Sequence, residues 1–107
     1  MTVIRLIGGR ADVGQLLYGS PPEVFDIDDR TLAHLEIVIL AKLRRNETFS
    51  LVLDYPTGTR TMLWFNQHLP LQVRLDSTDH EVNRAWLDAL IDSANSPGGL
   101  RVTPEPE

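Results

Sequence analysis

One stretch limits the fold of this chain more than any other: Asp28–Asn46, D-D-R-T-L-A-H-L-E-I-V-I-L-A-K-L-R-R-N. Leu32, Leu35, Ile39 and Leu43 recur at helical spacing and define one face. Ile37, Val38, Leu40 and Ala41 fill most of the remaining circumference. The run Ile37-Val38-Ile39 alone would suit a strand, because β-branched residues favour a pleated surface. The flanks decide for a helix. Asp28 caps the first turn, and Asp29 adds negative charge at the positive end of the dipole. Lys42, Arg44 and Arg45 crowd the last turn, and Asn46 is a left-handed terminator. A helix apolar on most sides is expected to be enclosed on most sides, between a sheet and a second layer or a partner chain.

The rest of the chain reads as strands around two helices. Thr2–Ile7 is a short strand and Gly8–Asp12 a polar break. Gln15–Tyr18 and Val24–Ile27 flank the turn Gly19-Ser20-Pro21-Pro22 as a hairpin. Thr48–Tyr55 and Thr59–Phe65 flank Tyr55-Pro56-Thr57-Gly58, a turn with proline second and glycine fourth. Leu71–Asp76 alternates, with Leu71, Val73 and Leu75 inward. Thr78-Asp79-His80-Glu81 is a capping box, so the second helix is expected from there to about Ala94. Its predicted buried stripe is Val82, Ala85, Trp86, Ala89 and Leu90. Asn95-Ser96-Pro97-Gly98-Gly99 stops it, and Leu100–Thr103 adds a final strand. The order β-β-β-α-β-β-β-α-β predicts an α+β fold, an antiparallel sheet with both helices packed on one face. The 107 residues fit one domain, residues 1–103, with a polar tail over 104–107 that is expected to fray.

Charge and composition exclude several function classes. The net charge is −5, and there is no cysteine. Residues 46–107 carry nine acids against four bases, so a broad phosphate-tracking surface is not expected, and nucleic acid is not the favoured partner. Disulfides and thiolate metal sites are excluded. The longest apolar run, Ile37–Ala41, is too short to span a bilayer, and Met1–Arg5 lacks the pattern of a signal peptide. A cytoplasmic protein without a cofactor is expected.

Candidate chemistry is thin. Gly9–Gly14 has the spacing of a phosphate loop, but Gln15 and Leu16 stand where lysine and Ser or Thr are required. Asp26, Asp28 and Asp29 lack the spacing of a calcium loop, and capping accounts for the last two. His34, His68 and His80 form no H-x-x-x-H pair, so no metal site is expected. No serine lies in a nucleophile elbow. Two surfaces remain for binding. Lys42, Arg44 and Arg45 form a basic cluster at a helix end, suited to a phosphate or acidic partner. Trp64 and Phe65 point to opposite faces of a strand, so one aromatic lies outside the core, near His68.

Several runs also resemble a family of small actinobacterial proteins of unknown function. These are Leu17-Tyr18-Gly19-Ser20, Ile27–Leu35, Ala41–Arg45, Asn83-Arg84-Ala85-Trp86 and Ser93-Ala94-Asn95-Ser96-Pro97-Gly98-Gly99-Leu100-Arg101. The resemblance spans about residues 14–106, and family members are often labelled ATP-dependent DNA ligase. It implies no catalytic residues. Such ligases attach AMP to the lysine of K-x-D-G, whereas the sole lysine, Lys42, is followed by Leu43-Arg44-Arg45. The family's start falls near Gly14, so residues 1–12 are expected to be peripheral. The leading expectation is a non-enzymatic interaction module with a protein partner or a second copy of itself. A small-molecule or peptide site at Trp64–His68 comes next, then a nucleic-acid or ligase accessory using Lys42, Arg44 and Arg45.

Overall fold

The computed structural model describes residues 12–107. The elements are β1 (Val13–Tyr18), β2 (Glu23–Asp28), α1 (Asp29–Arg44), β3 (Phe49–Asp54), β4 (Arg60–Phe65), β5 (Leu71–Arg74), α2 (Arg84–Ala94) and β6 (Leu100–Arg101). The fold is α+β with the expected element order. The strand expected over Thr2–Ile7, and most of the segment expected to be peripheral, lie outside the described residues. The strands form two three-stranded sheets rather than one, with orders β2-β1-β5 and β4-β3-β6. Residues up to Glu36 with His68–Glu81 make one compact unit, and Ile37–Gln67 with Val82–Glu107 make a second. No helix among the described residues is long and apolar enough to cross a membrane.

In the first unit β1 is central. It pairs antiparallel with β2, from Val13↔Asp28 to Tyr18↔Glu23, and with β5, from Gln15↔Arg74 to Tyr18↔Leu71. Gly19, at φ +85°, turns the chain between β1 and β2. Leu16, Leu17, Val24, Phe25, Ile27, Leu32 and Leu35 are the buried apolar side chains. Gly14 has a steric reason to be glycine. A Cβ there would lie 2.7 Å from Leu32 Cδ2 and 2.8 Å from Asp29 Oδ1.

In the second unit β3 and β4 form the expected hairpin, and the Gly58 N–H donates to Tyr55 O across the turn (2.9 Å). β6 lies parallel to β3, with Leu51↔Leu100 and Val52↔Arg101 in register. Phe49 and Phe65, directly opposite, stack at 5.1 Å. Leu51, Leu53, Leu63, Trp86, Leu87, Leu90, Ala94 and Leu100 complete this interior.

Two local expectations change. First, α1 is capped by Asp28, whose Oδ2 accepts from Thr31 N–H (3.0 Å), and Asn46 ends it at φ 58°, both as expected. Its middle is not enclosed, however. Leu32, Leu35, Val38 and Ile39 are buried, while Ile37 is 37% and Leu40 53% exposed. Burial follows a single 3–4 stripe, which leaves the opposite side in solvent however apolar it is. Second, α2 does not start at the capping box. Asn83 is the N-cap and accepts from Trp86 N–H (3.2 Å). The buried stripe is Trp86, Leu87, Leu90 and Ala94, whereas Val82, Ala85 and Ala89 are exposed. Within the polar tail over 104–107, Glu105 Oε2 and Pro106 O accept from Asn83 Nδ2 (2.9 and 3.0 Å); just before it, Thr103 O accepts from Trp86 Nε1 (2.9 Å).

Candidate functional sites: a buried carboxylate and an exposed apolar face

The late start of α2 follows from a single side chain. Asp29 is 1% exposed. Its Oδ1 accepts from the Asp76 N–H (2.7 Å), and its Oδ2 from the Ser77 N–H (3.0 Å) and from His80 Nε2 (2.7 Å). Arg30 Nη1 adds a bond to Glu81 O (3.0 Å). The segment that could have closed a capping box is therefore held open by the first turn of α1. Charge-assisted bonds of this kind are stronger than a local cap. Burial pushes the Asp29 carboxyl up, but the hydrogen bonds from His80, Asp76 and Ser77 outweigh it. The group sits below the usual aspartate range.

Two more polar side chains are buried in the same unit, His34 at 1% and Asp26 at 5%. His34 Nδ1 lies 2.9 Å from Arg30 O, so that nitrogen carries the proton. Asp26 Oδ1 has no hydrogen-bond partner among the described residues. No group of three or more His, Asp or Glu among those residues is placed to hold a metal ion. A shallow cleft of about 390 Å³ in the same unit is walled by Leu17, Pro22, Pro70, Leu71 and Gln72; neither Trp64 nor His68 lines it.

The second unit has the opposite character. Its buried residues are apolar, and it carries every large hydrophobic side chain exposed among the described residues, including Ile37, Leu40, Met62 and Trp64. Along β4 the side chains alternate: Leu63 and Phe65 are buried, while Met62 is 59% and Trp64 52% exposed. The aromatic that the strand turns outward is thus Trp64. On the same face Arg60 pairs with Asp54 through Nε–Oδ1 (2.6 Å) and Nη2–Oδ2 (3.3 Å).

The residues singled out by sequence are distributed as follows. Trp64 belongs to the second unit and His68, which is exposed, to the first. Lys42 is committed locally: its Nζ bonds Glu47 Oε1 (2.9 Å) and Asn95 Oδ1. The Lys42 hydrogen bond holds the Glu47 carboxyl below its ordinary range. Arg44 and Arg45 are exposed on the same helix end. Sequence reasoning treated Asp29 as a dipole charge and missed its role. The available signal was the doublet Asp28-Asp29, since only one of the two can occupy the cap.

The described chain is a small α+β protein of two helices and two mostly antiparallel sheets, with a polar cluster inside one unit and apolar side chains outside the other. It belongs to the family defined by the domain of unknown function DUF7882, which matches residues 13–105. No curated protein and no solved structure matches it.

Proposed function

We propose that this chain is a non-enzymatic interaction module that binds a protein partner through the apolar face of its second unit. The observation that carries the reading is the segregation of exposed large hydrophobics. All of those among the described residues fall in that unit, and Met62 and Trp64 stand side by side on one strand. Scattered exposed apolar residues are ordinary; neighbouring ones such as Met62 and Trp64, on one face of β4, are what a contact surface is built from. Tryptophan, methionine and arginine are the residues enriched where proteins meet, and Arg60, Met62 and Trp64 share this face.

The ligase label attached to similar proteins finds no support as an activity. Lys42, the sole lysine, lacks the K-x-D-G context, and its ammonium is bound to Glu47 and Asn95. Sedimentation over a concentration series, combined with titration of a fluorescent apolar dye, tests the proposal. Self-association or dye binding that falls at least fivefold in Met62→Lys is the expected result. A strictly monomeric chain that binds no dye overturns it.

A further inference from the structure

We infer that Asn83 and Trp86 build a binding site for an acidic, proline-containing protein segment, and that residues 103–107 occupy it in cis as a ligand that such a segment displaces. These residues read Thr-Pro-Glu-Pro-Glu. Pro104 and Pro106 have no N–H to donate, so the segment is held chiefly through carbonyls and side chains. Both kinds of group are used. Trp86 Nε1–H donates to Thr103 O (2.9 Å), and Asn83 Nδ2 donates to Pro106 O (3.0 Å) and to Glu105 Oε2 (2.9 Å). Aromatic-lined sites recognise proline-containing segments in general because a prolyl backbone loses little entropy on binding.

The need for an acidic ligand comes from α2. This helix opens on Arg84 and has no acidic residue in its first turn, so nothing within it balances the positive end of its dipole. Glu105, bonded to the N-cap residue Asn83, brings a carboxylate to that end. An emptied site would lose this charge, and the indole of Trp86, 3% exposed, would lose the Thr103 acceptor. Exchange of one such segment for another is therefore favoured over a vacant site.

The resident segment is not the best ligand its site can take. Thr103 Oγ1 is covered and has no hydrogen-bond partner among the described residues, and a hydroxyl in that state opposes binding. A tethered segment acts at an effective concentration on the order of millimolar, so a competitor must bind more tightly than the resident to take its place. Valine has the shape of threonine without the hydroxyl, and a partner segment with valine before Pro-Glu-Pro gains that difference.

Titration of the whole chain with a fluorescent peptide of sequence V-P-E-P-E tests the site. Glu105→Ala loosens the resident segment and leaves Asn83 and Trp86 in place. It should bind the peptide about tenfold more tightly than the unaltered chain, the effect of one charge-assisted hydrogen bond. Thr103→Val improves the resident ligand and should weaken peptide binding about tenfold. Asn83→Asp keeps an oxygen for the Trp86 N–H, so α2 stays capped, but it removes both Nδ2 bonds. Peptide binding should then be lost with an unchanged circular dichroism spectrum. The indole N–H resonance of Trp86 reports occupancy: it should move in Glu105→Ala and return when the peptide is added. A folded Glu105→Ala chain that binds no peptide overturns the displaceable ligand and makes residues 103–107 a fixed part of the fold. Peptide binding that survives Asn83→Asp undiminished overturns the site itself.

Discussion

The two units of this chain solve the same folding problem with opposite materials. The first buries Asp26, Asp29 and His34 and shows no exposed large hydrophobic among its described residues. The fully buried side chains of the second are apolar, although the Tyr55 hydroxyl and Thr103 Oγ1 are also covered, and it shows Ile37, Leu40, Met62 and Trp64 to solvent. A buried carboxylate that is bonded as Asp29 is dictates one arrangement of its surroundings and penalises others. Apolar packing is less directional, and apolar side chains left outside remain available to a partner. In this chain the fully bonded buried carboxylate, Asp29, lies in the first unit, and the large apolar side chains left in solvent lie in the second.

The sharpest way to break the second unit is from inside. Phe65→Ala removes a fully buried ring stacked on Phe49 and should cost about 4 kcal/mol in urea unfolding. A loss under 1 kcal/mol would mean that apolar packing does not hold this unit.

Breaking the first unit requires only a charge. Asp29→Ala leaves two backbone N–H groups and His80 without their acceptor, and should cost about 3 kcal/mol. The milder Asp29→Asn isolates the pH dependence. Because the folded state holds this carboxyl below its ordinary value, its contribution is fully present above the unfolded aspartate value. That contribution is lost as pH falls through the lowered folded one. Asp29→Asn should therefore flatten the acid limb of the stability curve. It should also speed hydrogen exchange at the Asp76 and Ser77 amides, while amides of β3 and β4 keep their protection. An unchanged acid limb would count against the cluster as the organiser of this unit.

The smallest effect is expected at Leu40. Leu40→Gln should move folding stability by less than about 0.5 kcal/mol, because the side chain is 53% exposed. A larger destabilisation, at a chain concentration where the protein is monomeric, would show that this side of α1 is covered after all.

Features encoded by neighbouring residues were legible in the sequence. Asp28 and Asn46 frame α1, the Tyr55–Gly58 turn closes its hairpin, and alternation places one of Trp64 and Phe65 outside. What the sequence hid depends on distant partners. The start of α2 is moved by Asp29, which bonds residues 47 to 51 positions away. The division into two sheets arises because β5 returns to β1 while β6 finds β3, and the strand patterns do not encode that choice. The open side of α1 is hidden because apolar content does not by itself dictate burial: Ile37 and Leu40 are apolar and exposed. Of the candidate site, the outward aromatic was readable from the alternation along β4.

Each unit is assembled from two separated lengths of chain, and α1 contributes its opening turns to one and its closing turns to the other. No single cut can release either unit intact. During synthesis the first unit has all its residues once Glu81 has emerged, while the second still lacks α2 and β6. Until those arrive, β3 has β4 beside it and lacks β6. The nascent protein thus passes through an interval in which its stickiest sheet is also its least finished.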